Sequence, residues 1–196
     1  GRGRRLEPRS ARYWPSVPRT FRLDHPLDVG ATVGALANGR GDPCFRRAAD
    51  GIWRASRTPL GPATVHIDDR RAQPHQAGGV VEVHAWGRGA EWALAHADDL
   101  LGLHDDVDSF RPGDRLVADA HRPHPGLRMC RSRAITEALV PVIIGQKVQT
   151  VAAHRSWRGL VRAIRLGRGE PAPGRGPALR HARGDARSRA DVGRQP

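Results

Sequence analysis

Lysine occurs once in this 196-residue chain, at position 147, although Lys and Arg together number 33. The basic charge is therefore almost entirely arginine, and with 23 Gly and 16 Pro the texture is that of a very GC-rich coding sequence. Cysteine is nearly as scarce. Cys44 and Cys130 do not make a disulfide framework and neither belongs to a CxxC pair, which fits a reduced, intracellular setting. No apolar run approaches the ~20 residues of a membrane span, so no membrane partner is expected. The Arg-rich start lacks the apolar core of a secretory signal. The expectation is a cytoplasmic, nucleoid-associated monomer.

What the chain does have is positive charge. A formal net charge of +13 and a pI near 11.5 favour a polyanionic partner, and nucleic acid is the obvious one. Much of the excess lies in the two ends, so charge alone argues little for specific binding. Residues 1–18 read as a disordered basic arm and 165–196 as a disordered Arg/Gly/Pro tail, because neither holds enough apolar surface to offset ordering entropy. An Arg-Gly-Asp tripeptide at Arg183 is expected by chance in such a tail.

Between these ends, 19–103 reads as an α+β domain. A short strand at 20–23 precedes a helix over 28–36 that starts at Asp28 and is buried through Val29, Val33 and Leu36. Gly39-Arg40-Gly41-Asp42-Pro43 is a turn. Strands at 52–57 and 63–67 flank the turn signal Thr58-Pro59-Leu60-Gly61-Pro62 and form a hairpin. A further alternating strand covers 80–86, and helical spacing follows over 90–103. The result is an antiparallel sheet with helices on one face.

Residues 104–164 read as helical. Asp114 to His121 makes a short helix, a Pro-rich turn follows, and Ser132 is placed to cap the longest helix-period segment, 132–164. Ile135, Leu139, Val142, Ile143, Val148, Val151, Ala152 and Leu160 mark its expected buried stripe. Pro141 should kink the helix or open a new one. Set into the apolar run is Gly145-Gln146-Lys147. A pure core helix has no use for that insertion, so the expected geometry is helix, break at the glycine, helix, with Gln146 and Lys147 presented at the junction.

Read from Leu139 to Ala153, the pattern Leu-Val-x-x-Ile-x-Gly-Gln-x-Val-x-x-x-Ala-Ala resembles the first helices of the helix-hairpin-helix DNA glycosylases, in their alkylpurine (DNA-3-methyladenine glycosylase II) branch. The order of Gly41-Asp42-Pro43, Trp53-Arg54-Ala55-Ser56-Arg57-Thr58-Pro59, Gly61-Pro62-Ala63, Ala85-Trp86-Gly87-x-Gly89-Ala90 and Leu100-Leu101-Gly102 resembles that family's N-terminal domain. The resemblance implies an α+β domain followed by the first helices of an all-α glycosylase domain. It implies base-excision repair of alkylated purines in double-stranded DNA, with no cofactor, and places Gly145, Gln146 and Lys147 at the minor groove by the lesion. The family's wedge position falls on Lys147, where a cation that reaches phosphate replaces the usual apolar side chain.

The chemistry of such an enzyme needs a carboxylate beside the anomeric carbon. In the family that Asp follows a Leu-Pro-Gly-x-Gly hairpin, and neither is found in this sequence. Gly174-Arg175-Gly176 has the wrong neighbours, Asp185 and Asp191 lie in aperiodic sequence, and Lys147 lies outside any hairpin where a Schiff-base lysine would act. No catalytic residue is assigned, and the chain is expected to be inactive as it stands, with the glycosylase frame lost near Ile164. The face of 148–163 should then be left apolar and uncovered.

The alternative is a non-catalytic, basic nucleic-acid-binding protein. No metal is expected: His121, His124 and Cys130 lack a fourth ligand at a zinc-site spacing. The carboxylates Asp105, Asp106 and Asp108 lack a calcium loop's Gly and closing Glu. Trp53, Trp86, Trp92 and Trp157 have faces able to stack on bases, but each lies on a strand or helix stripe where core burial is the commoner fate.

Overall fold

The computed structural model describes residues 17–166, so the expected arm and tail, with Gly174, Asp185 and Asp191, fall almost wholly outside the described residues. Strict alternation organises what is described. In β4 (Gly61–Arg71), Ala63, Val65 and Ile67 point to one face and are buried; in β5 (Val80–Trp86), Val81, Val83 and Ala85 do the same. A period of two puts successive side chains on opposite faces, so one register buries both sets together.

The hairpin expectation holds. Strand β3 (Gly51–Thr58) turns into β4 over Pro59 and Leu60, with Thr58 opposite Gly61. The Thr58 hydroxyl donates to the Gly61 carbonyl at 2.8 Å and accepts from the Leu60 amide at 3.2 Å. Gly61 has φ +125°, a conformation in which a Cβ is strained, so glycine is required there. Strand β1 (Arg19–Arg22) pairs with β5 at one edge, and β2 (Phe45–Ala48) pairs with β3 at the other. The sheet order is β1-β5-β4-β3-β2, antiparallel throughout, and the chain is of the α+β class. Strand β2 escaped the sequence reading because Phe-Arg-Arg-Ala carries no alternation, and its pairing with β3 makes it a strand.

Helices cover the inner face. Helix α1 (Val29–Gly34) starts at Asp28, whose carboxylate accepts from the Ala31 amide at 2.8 Å. The single helix expected over 90–103 is two: α2 (Ala90–Ala95) and α3 (Ala97–Leu101), separated at His96 with φ −112°. Leu27, Val29, Val33, Ile52, Val65, Ile67, Val81, Val83, Ala97 and Leu101 form the centre of one core.

The second half differs. Helix α4 (Arg115–His121) is capped by Asp114, which accepts from the Leu116 and Val117 amides at 2.8 and 3.3 Å. Helix α5 (Ile135–Gly145) carries Pro141 inside it, and α6 (Thr150–Leu166) follows. Ser132 is not the cap of α5. That position is Ala134, whose amide donates to the Ser132 hydroxyl at 3.3 Å, one turn position too early for a helix cap.

The expected buried stripe is also overturned. Ile135, Leu139, Val142, Ile143, Val148, Val151, Ala152 and Leu160 are all exposed, and α5 has no buried residue. Instead α6 buries Ala153, Trp157 and Val161, four residues apart, with Trp157 bonded to Asp42 in the turn before β2. Periodicity located the helices correctly but could not say which side of them finds a partner.

Candidate nucleic-acid interface

Three polar anchors hold the helices to the sheet unit. Glu137, in the first turn of α5, accepts from Arg54 Nη2 at 2.9 Å, from the Ser56 hydroxyl at 2.8 Å and from the Arg57 amide. Arg54 is buried, and such a charge is tolerated only when paired. The chain before α5 is strapped down by Arg131 to Asp105 at 2.9 Å and by Arg133 to buried Asp99. The Arg133 bond holds the Asp99 carboxyl below the usual carboxylate range. Asp105 also accepts from the Met129 amide, so this carboxylate ties the loop after α3 to the chain before α5.

The Pro-rich turn enters the same seam. Gly126 accepts from the Asp28 amide at 2.8 Å, and a Cβ at Gly126 would lie 2.5 Å from the Pro74 carbonyl oxygen. The Arg128 guanidinium is folded onto the carbonyls of Pro26, Pro125 and Leu127, and burial lowers its pKa. On α6, the Trp157 indole donates to Asp42 at 3.1 Å while Asp42 also accepts from the Asn38 and Cys44 amides. His154 packs on Gly39, where an added Cβ would come within 2.1 Å of the ring.

These anchors fix where the α5–α6 junction points. Gly145 is the last residue of α5, and Gln146 follows with φ −67° and ψ 126°, its amide bonded back to the Ile143 carbonyl at 3.2 Å. The left-handed residue is Lys147, with φ +57°, and not the glycine. The expectation that Gly145 makes the break is thereby corrected. A Cβ at Gly145 would meet nothing within 4 Å, so no contact inside the described chain calls for glycine there.

Gly145, Gln146 and Lys147 are all exposed. Among the described residues neither long side chain has a hydrogen-bond or ion-pair partner. Around them stand exposed Val142, Ile143, Val148 and Val151, the last at 67%. The junction is thus a polar, singly cationic tip inside an apolar collar. Such a tip can place a donor in a minor groove and a cation near phosphate, with aliphatic groups against sugar edges.

The other residues singled out in the sequence do not converge on this junction. His121 ends α4 and meets Phe110 edge-on at 5.0 Å. Of the tryptophans expected in the core, Trp157 is buried, whereas Trp53, Trp86 and Trp92 are half-buried. Trp92 stacks on His96 at 4.1 Å. Trp53 and Trp86 occupy the outer face of the sheet with His66 and His84, which the sequence reading passed over. Phase was the missed signal: Val65, Ile67, Val81, Val83 and Ala85 face inward, so the residues alternating with them face out. The chain matches no family model and no curated protein.

Proposed function

We propose that this chain is a DNA-contacting protein of the alkylpurine DNA glycosylase kind, a component of base-excision repair. Its α5–α6 junction enters the minor groove of double-stranded DNA at an alkylated base. Gln146 bonds to base edges or sugar, Lys147 neutralises a phosphate, and the collar of Val148 and Val151 rests on the backbone. The reading is supported above all by one observation: Gln146 and Lys147 project from an exposed left-handed break with no partner within the described residues. A lysine held at φ +57° carries a conformational cost, about 1 kcal/mol or more, and such cost tends to persist where a function needs the geometry. No side chain is assigned to glycosidic-bond hydrolysis, so binding without base release is the expected activity.

The test is anisotropy binding of the full chain to duplexes that differ only by one abasic site. Preference for the abasic duplex is expected, and Lys147→Ala should weaken it about tenfold and reduce the log-log salt slope by about 1. Gln146→Ala should lower lesion preference with little change in slope. Equal affinity for both duplexes, unmoved by either substitution, would select the second reading, a lesion-indifferent basic binder acting through its arginines. That reading is favoured by the net charge of +13.

A further inference from the structure

The outer face of the sheet carries four clustered rings that the proposed duplex site does not use, three of their contacts stacked and one, His66 with His84 at 5.9 Å and 33°, tilted. His66 lies directly opposite Trp53 on one side and His84 on the other, and Trp86 lies two residues beyond His84 on β5. Trp53 and His66 stack at 4.3 Å, Trp53 and Trp86 at 5.5 Å, and His84 and Trp86 at 6.0 Å, with interplanar angles of 26°, 17° and 13°. The cluster is fixed from one side by Asp50. Its carboxylate accepts from the Trp53 indole at 3.2 Å, and its carbonyl lies 2.9 Å from His66 Nε2.

The charges around the rings are asymmetric. Asp68 is held by Arg70, Asp69 by Arg47 at 3.2 Å, and Glu82 lies 3.8 Å from Arg71. Arg46 instead sits over the Trp53 ring at 5.8 Å, and Arg57, on the same outward phase of β3, has no side-chain partner among the described residues. Asp68 and Glu82 are thus paired with arginines. Asp50, whose carboxylate accepts from the Trp53 indole and lies 3.8 Å from His66 Nε2, has no arginine partner, and Arg46 and Arg57 have no carboxylate partner, among the described residues. Cross-strand ring pairs alone would serve stability. Flanking arginines without counter-ions add a preference for an anionic ligand with flat faces.

We propose that this face binds single-stranded nucleic acid, with bases stacking on the Trp53, His66, His84 and Trp86 cluster and phosphates meeting Arg46 and Arg57. The rings already stack on one another, so a base meets the row at its uncovered faces and edges; such contact reads no base edge, and binding is sequence-tolerant. It is independent of the α5–α6 junction, and a strand separated beside a lesion is a ligand of the right chemistry.

The experiment compares a 12-nucleotide oligothymidylate with an all-abasic oligonucleotide of equal length, against the full chain in 0.3 M salt. The two probes carry the same phosphates, so the arginine-rich ends contribute equally to both. The oligothymidylate should bind at least about tenfold tighter and should quench tryptophan emission. Trp86→Leu should abolish that margin, and His84→Ala should reduce it if Trp86→Leu impairs folding. Lys147→Ala should leave the margin intact. Equal affinity for the two probes, or a margin unmoved by both sheet substitutions, would overturn the proposal and assign binding to charge alone.

Discussion

Ile67 and Val142 are both branched aliphatic residues inside regular elements, yet Ile67 is fully buried and Val142 is 61% exposed. The contrast separates two halves of one chain. In the sheet unit each strand has one apolar phase, and α1, α2 and α3 exist to cover it. In the helical part α5 is apolar nearly all round and touches the sheet mainly through one carboxylate. A helix of that composition normally lies inside a bundle. Covering a single side chain such as Val142 or Ile143 would contribute about 1.5–3 kcal/mol. The sheet half is held by packing, α5 by polar anchors, and α6 by both, through buried Ala153, Trp157 and Val161 and the Trp157 bond to Asp42.

Core truncation should break the comparison most visibly. Ile67→Ala should destabilise the chain by about 2–5 kcal/mol in urea denaturation, whereas Val142→Ala should stay within about 0.5 kcal/mol of wild type. Equal losses at the two positions would mean that α5 is packed after all. Next in size is Glu137→Ala. It leaves the buried Arg54 guanidinium and the Arg57 amide without their acceptor, at a cost of about 1–3 kcal/mol. The loss should appear as protease sensitivity of 135–149 with the sheet intact. Trp157→Phe removes the indole donor to Asp42 and shrinks a buried side chain, so about 1–3 kcal/mol is expected, localised to α6.

Acid should act on both halves in different windows. Burial pushes the His66 pKa below 6.5, so the folded state holds fewer protons there than the unfolded chain. That contribution is complete above pH ~6.5 and declines as pH falls past it. Asp99 is depressed by its bond to Arg133, so its contribution is present above the ordinary carboxylate range and disappears as pH falls through its lowered pKa. A stability-pH curve should therefore lose its His66 step in His66→Asn and its lowest-pH step in Arg133→Ala.

Legibility followed the same divide. Val65, Ile67, Val81 and Val83 announced their strands and their inward face because a two-residue period admits only one buried phase. The same alternation placed Trp53, His66, His84 and Trp86 outside, although general burial tendency pointed the tryptophans inward. For α5 and α6 the apolar spacing located the helices and their junction. It could not identify the buried side, since that depends on Trp157 finding Asp42 and Glu137 finding Arg54, contacts 115 and 83 residues apart in sequence. Glycine tolerates positive φ, which points to Gly145 as the break, but Lys147 takes that conformation.

Amide hydrogen exchange on the full chain, with and without a duplex carrying an abasic site, would test the central contrast most directly. Without DNA, β3, β4 and β5 should exchange only through global unfolding, and α5 and α6 through a lower-energy opening. Added duplex should slow exchange at 143–151 while leaving the strands unchanged. Uniform protection without DNA would contradict the division of the fold, and protection by duplex that spares 143–151 would contradict the proposed role of Gln146 and Lys147.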